Sequence, residues 1–180
     1  MAAGEILVVG LGLIGGSMAM ALRGFEDFEI VGADCSADVL ERAAERRAAD
    51  RFVPGAAAEL ARADVVMLCQ HPEGIAAFLR ENAGRFRPGA LVCDVGGIKT
   101  AVMAAARALP QEVDFIGCHP MAGREVSGID HAEATLFRNA HFIMTPRPES
   151  TPEHIALLER MAAHCGFRDT VRTTPEHHDA

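Results

Sequence analysis

Residues 5–15 read Glu5-Ile-Leu-Val-Val-Gly10-Leu-Gly12-Leu-Ile-Gly15, an apolar run that enters three glycines spaced GxGxxG, and small residues continue through Leu22. Few folds accept this pattern. The run has the character of a buried strand, and the residues after it that of a helix packed closely on that strand. Gly10 permits the tight turn, Gly12 lets a ligand's phosphates approach the backbone, and Gly15 lets helix and strand touch. The unpaired N–H groups at the start of such a helix attract negative charge. An acid, Asp34, closes the next apolar run. At that spacing a carboxylate accepts from both hydroxyls of an adenosine ribose and repels a 2′-phosphate, which favours NAD over NADP. Gly10, Gly12, Leu13, Ile14, Gly15 and Asp34 are therefore the candidate cofactor-binding residues, joined by Gly96 farther along.

The remainder of the chain supports the same architecture. Apolar runs near 6–9, 28–33, 65–69, 90–95, 115–118 and 142–145 alternate with alanine-rich stretches of helical character. The runs do not alternate polar with apolar, as expected of parallel strands covered on both faces. Ser36 is placed to cap a helix whose Val39, Leu40, Ala43 and Ala44 face inward. Thr151 and Pro152 open a later helix that carries Ile155, Leu158, Met161, Ala162 and Cys165 and stops at Gly166, with a last strand near 170–173. The predicted fold class is α/β, a Rossmann-type doubly wound, mostly parallel sheet with helices on both faces. The predicted domain spans 1–173, and 174–180 is a polar C-terminal tail.

Composition narrows the partners. Of 180 residues, 17 are Lys or Arg and 25 are Asp or Glu, a formal net charge of −8. Such a chain has no basic field to hold nucleic acid or an anionic membrane, so anion binding must come from local geometry. No apolar run of bilayer-spanning length and no basic-then-apolar leader occurs, and the expected location is cytoplasmic. Five cysteines without a CxxC read as reduced and mostly buried thiols.

Three further segments carry candidate chemistry. His71, in Cys69-Gln-His71-Pro72, is placed to line the ligand cleft and is equally a solvated loop residue. Asp94-Val-Gly96-Gly97-Ile-Lys99-Thr100 precedes a helix, and a lysine at a helix start opposes the dipole. Lys99 is thus either solvated or a partner for an anionic ligand. His119 opens His119-Pro-Met-Ala-Gly-Arg124-Glu-Val-Ser-Gly128 at the end of a strand-like run. A histidine there can accept a hydroxyl proton as hydride leaves the same carbon, and by position alone is equally a loop histidine hydrogen-bonded to backbone. The terminal His177-His178-Asp179 lacks a recognisable metal geometry, and no metal is expected.

The order of these motifs resembles the prephenate and arogenate dehydrogenase family, from residue 5 to about 179. GLGLIGGS from Gly10, Asp34, DVGGIK from Asp94, HPMAGREVSG from His119 and LFRNAHFIMTP from Leu136 carry the resemblance, and HPMAG is the most diagnostic. The resemblance implies NAD-dependent oxidation of a cyclohexadienol, prephenate or arogenate, with loss of the ring carboxylate as CO₂ to give an aromatic product of the tyrosine pathway. His119 matches the family histidine that meets the ring hydroxyl. Many members have serine where this chain has Gly97. Family members add a helical dimerisation domain, so 174–180 reads as the start of the segment leading to a domain absent here, and a homodimer is compatible. In its absence Lys99 and Arg124 are the candidate partners for the substrate carboxylates. Three readings follow: a prephenate or arogenate dehydrogenase; a NAD-binding module without independent catalysis; or another small-substrate dehydrogenase or imine reductase on the same fold, against which HPMAG argues.

Overall fold

The computed structural model describes residues 4–180. Eight strands form one sheet: β1 (Gly4–Val9), β2 (Phe28–Asp34), β3 (Arg51–Pro54), β4 (Val65–Leu68), β5 (Leu91–Asp94), β6 (Asp114–Pro120), β7 (His141–Thr145) and β8 (Asp169–Arg172). Their order is β3-β2-β1-β4-β5-β6-β7-β8, and all neighbours are parallel except β6 and β7. Six helices accompany them: α1 (Leu13–Leu22), α2 (Ala37–Glu45), α3 (Pro72–Asn82), α4 (Thr100–Ala106), α5 (Pro152–His164) and α6 (Pro175–Asp179). Among the described residues no helix is long and apolar enough to cross a membrane.

The continuous apolar runs have a simple structural reason. Side chains alternate across a strand, and both faces of this sheet are covered. In β1, Ile6 and Val8 enter one core while Leu7 and Val9 enter the other. The same division separates Val65 and Met67 from Val66 and Leu68 in β4, and Leu91 and Cys93 from Val92 in β5. Full burial of each such aliphatic side chain contributes roughly 1.5–3 kcal/mol.

The expected caps are present: Val39 N donates to Ser36 Oγ and His154 N to Thr151 Oγ1. Ala44, expected inward, is exposed, and Ala43 is the fully buried residue of α2. A strand absent from the sequence reading, β3, forms at the sheet edge. It is four residues long, starts on Arg51 and ends on Pro54, so its composition lacks strand character. Edge position tolerates the proline, and Arg51 is held by Glu5 and Glu59 at 2.9 and 3.0 Å. The thiols are free as expected, and Cys35 is the exposed one.

The chain leaves β1 toward β2 and β3, then crosses to β4 on the other side. Strand order reverses there, and ligands of doubly wound sheets settle in the crevice at the carboxyl ends beside such a point. The segment between β6 and β7 returns across this end and packs on α1, where Glu133 N donates to Ser17 Oγ at 2.9 Å.

Candidate active site

The glycine loop sits at the switch point. Gly10 has φ +91°, a left-handed conformation that favours glycine, and its N–H donates to Ala33 O at 2.8 Å. A Cβ on Gly15 would lie 1.8 Å from Gly10 O, so helix and turn meet at contact distance. Gly12 differs, because a Cβ there would meet nothing within 4 Å and would project into the open crevice. It is also the N-cap of α1 and offers no side-chain acceptor to the first-turn N–H groups. Those donors are left for an anion.

Asp34 has a second task beyond the one its position suggested. Its Oδ2 accepts from Leu11 N and its Oδ1 from Ser36 N, both at 2.9 Å, which ties the glycine loop to the end of β2. A cavity of about 250 Å³ beside it is bounded by Gly10, Asp34, Cys35 and Gly55. The larger crevice, about 570 Å³, runs past Gly12, Leu13, Ile14, His71, Gly96 and Arg124. Gln70 borders both, and its Oε1 is buried without a hydrogen-bond partner. An open glycine cradle, free helix N–H groups, a carboxylate at the strand end and an orphaned amide oxygen between two cavities together fit a dinucleotide.

Lys99 is not where the sequence reading put it. Its side chain is fully buried rather than solvated or turned toward a ligand. The ammonium contacts Asp94 Oδ2 and donates to Cys118 O at 2.5 Å. Asp94 also accepts from Gly96 N at 2.9 Å and Cys118 N at 3.1 Å. Burial pushes the Asp94 carboxyl up, and the Lys99 ammonium with the two amide donors pulls it back. The lysine thus bolts the loop after β5 to the end of β6, with its charge beneath the crevice. Fully buried and paired with Asp94 and Cys118 O, this cation is not presented to a substrate carboxylate in the crevice.

His119 stands at the carboxyl end of β6, half-buried, facing Gly97. A Cβ on Gly97 would lie 3.7 Å from His119 Nε2, so this ring edge lies against Gly97, and Nε2 has no hydrogen-bond partner among the described residues. The other edge is engaged: His119 Nδ1 and His178 Nε2 are 2.8 Å apart. His178 Nδ1 lies 2.7 Å from Asp179 Oδ1, and the Asp179 carboxylate accepts from Lys99 N and Thr100 N at the start of α4, both at 2.8 Å. Burial, the neighbouring His178 and the Lys99 charge hold His119 below the usual histidine value, against an opposing pull from Asp179. Burial alone would raise the Asp179 carboxyl, but donors from Thr100, Lys99 and His178 outweigh it and hold it well below the usual carboxylate range.

His178 and Asp179 are the site neighbours that sequence reasoning missed. Thr174 and Pro175 at the head of the segment are a helix-start signal that was available. Arg124 does line the crevice, but its guanidinium makes a two-pronged contact with Glu133 at 3.0 and 2.8 Å.

Fold and crevice define a Rossmann-type nucleotide-binding domain. A family profile described as the nucleotide-binding domain of prephenate dehydrogenase matches residues 18–171. The chain belongs to the prephenate dehydrogenase family. It is 33% identical over 181 residues to a prephenate dehydrogenase of Bacillus subtilis, covering 97% of this chain and 47% of that one. The structure of Synechocystis arogenate dehydrogenase superposes with a TM-score of 0.88 at 35% identity, covering 97% of this chain and 61% of that one. Prephenate dehydrogenase from A. aeolicus, in complex with hydroxyphenyl propionate and NAD+, gives a TM-score of 0.87 at 26% identity, covering 99% and 63%. The chain thus spans about half to three-fifths of the length of these relatives.

Proposed function

We propose that this chain is the nucleotide-binding part of a NAD-dependent prephenate or arogenate dehydrogenase, with His119 as the proton acceptor. The carrying observation is the Nε2 edge of His119, without a hydrogen-bond partner among the described residues, at a strand end beside Gly97, which lines the crevice that the glycine loop bounds. NAD, when bound, supplies the hydride acceptor. The free N–H groups of α1 and the backbone of Gly12, Leu13 and Ile14 would hold the pyrophosphate. Gly96 would pack along the crevice wall. Asp34 would take the ribose hydroxyls and, by charge repulsion, disfavour a 2′-phosphate.

The chemistry asked of His119 is limited and reversible. A ring carbon loses hydride as its hydroxyl becomes a carbonyl, and the hydroxyl proton passes to Nε2. The bond to the ring carboxylate then breaks, its electron pair enters the ring, and CO₂ leaves. The resulting phenolate oxygen recovers the proton from Nε2. A base that neither gains nor loses a proton overall must sit near neutrality, which suits an imidazole. Arg124 would exchange Glu133 for a substrate carboxylate; the pair is exposed and screened by solvent, so the exchange costs little.

A second reading, a NAD-binding module without independent catalysis, is favoured by one observation. Ile98 and Met121, at 52% and 50% exposure, and Val126 at 42% stand on the segments around the crevice mouth. Apolar side chains at such a rim exclude water only when something covers them. The same rim supports a homodimer. Under either reading we place the chain in the cytoplasm and divide it into a body over 1–173 and a segment 174–180 that begins a helical connection, consistent with α6. NADH formation with NAD and either prephenate or arogenate, beside a His119→Asn variant, separates the readings. Turnover lost in the variant supports the dehydrogenase, and NAD binding without turnover supports the module.

A further inference from the structure

We propose that His178, itself held by Asp179, positions His119 as a base by fixing its tautomer, with the proton on Nδ1 and the lone pair of Nε2 on the edge beside Gly97. The proposal deepens the reading of His119 as proton acceptor and rests on it. The argument is an accounting of donors along one line of side chains. Asp179 already accepts from two backbone N–H groups at the start of α4, and an ionised carboxylate can only accept. The ring nitrogen of His178 that faces it at 2.7 Å, Nδ1, therefore donates. A neutral imidazole carries one N–H, so Nε2 of His178 has only a lone pair. That lone pair lies 2.8 Å from His119 Nδ1, which must then donate. The single remaining assignment leaves His119 Nε2 unprotonated, on the edge facing Gly97.

The surroundings make the line stiff. The His178 side chain is 5% exposed, so water offers little competition for its ring nitrogens. Thr174 Oγ1 accepts from His177 N at 3.2 Å at the head of α6, and Asp179 pins its far end to α4. A short helix that would fray alone is tied at both ends, and its inward side chain meets the base. When Nε2 takes the hydroxyl proton, the imidazolium's Nδ1–H already points at an acceptor. A histidine oriented by an acceptor behind it is the arrangement general-base sites require, and a wrong tautomer there leaves the geometry intact but not the rate. His178 is thus a positioning residue, acting only through His119.

The test reads the tautomer directly and does not depend on turnover. Ring 1H–15N correlation spectra of the full chain, labelled at histidine and assigned with His119→Asn, report which nitrogen of each ring is protonated. In the native chain at a pH where imidazoles are neutral, His119 is expected to show protonated Nδ1 and unprotonated Nε2. His178→Leu should abolish that preference. His178→Gln, whose amide oxygen can stand where Nε2 stood, should keep it. A native His119 carrying its proton on Nε2, as it would opposite an imidazolium at His178, overturns the proposal, and so does a His178→Leu chain with an unchanged His119 ring. If His178→Leu does not fold, the native and His178→Gln spectra decide. Absence of NADH formation in every form would instead count against the dehydrogenase reading and leave the tautomer measured.

Discussion

The Lys99 ammonium and the Asp94 carboxylate meet with both side chains wholly excluded from solvent. Breaking a buried pair from one side leaves an uncompensated charge, which costs about 3–5 kcal/mol. Lys99→Met is expected to lower the unfolding free energy by that amount in a denaturant titration. The loss should shrink at acid pH, because Asp94, already pushed up by burial, then takes a proton and no longer needs a cation. A pH-independent loss under about 1 kcal/mol would show that the pair is not what joins β5 to β6.

Two glycines of one motif should answer differently to substitution. A Cβ at Gly15 would fall inside the carbonyl of Gly10, whereas one at Gly12 would enter empty crevice. Gly15→Val is expected to lower the melting temperature as helix and turn are forced apart. Gly12→Val should leave the melting temperature unchanged and weaken NAD binding by at least about tenfold, since its side chain fills the space left for the pyrophosphate. Calorimetric titration with NAD beside thermal melts separates these effects. Equal loss of stability in both variants would mean that Gly12 is structural.

This contrast also shows what the sequence could reveal. The spacing of Gly10, Gly12 and Gly15 after an apolar run, with Asp34 closing the next, was legible because each residue answers a local constraint. The alternating helices and strands were legible for the same reason. The location of Lys99 was not, because its environment is made by Cys118, nineteen residues away, and by the depth of the sheet end. Composition marks a lysine as exposed, and only three-dimensional packing supplies two buried acceptors. His178 reaches His119 across fifty-nine residues, a contact that spacing does not encode. Edge strand β3 escaped notice because Arg51 and Pro54 are ordinary at an edge and alien to a centre.

The depressed proton affinity of His119 sets a pH dependence. The neutral ring is the functional one, and burial first, with the Lys99 charge, disfavours its charged form. Between the lowered folded value and the ordinary value near 6.5, the unfolded chain binds more protons than the folded one. Stability contributed by this site is therefore present above pH 6.5 and lost as pH falls through the window. Where turnover is measured, the acid limb of kcat/KM should lie below pH 6.5. A limb at or above 6.5 would mean that the ring is better solvated, or better paired with an anion, than its surroundings show.

Gly97 stands beside the Nε2 edge of His119. A Cβ added there would lie 3.7 Å from both Cε1 and Nε2 of the ring, an ordinary contact distance. Gly97→Ser should therefore fold with an unchanged melting temperature. Its hydroxyl can reach Nε2 and donate to the lone pair, which stabilises the neutral ring. One such bond is worth about 0.5–1.5 kcal/mol, equivalent to a shift of about half to one pH unit. The His119 titration, followed by NMR in native and variant chains, should move to lower pH by that amount. An upward shift, or none, would place the hydroxyl elsewhere and leave the base free of any serine contact.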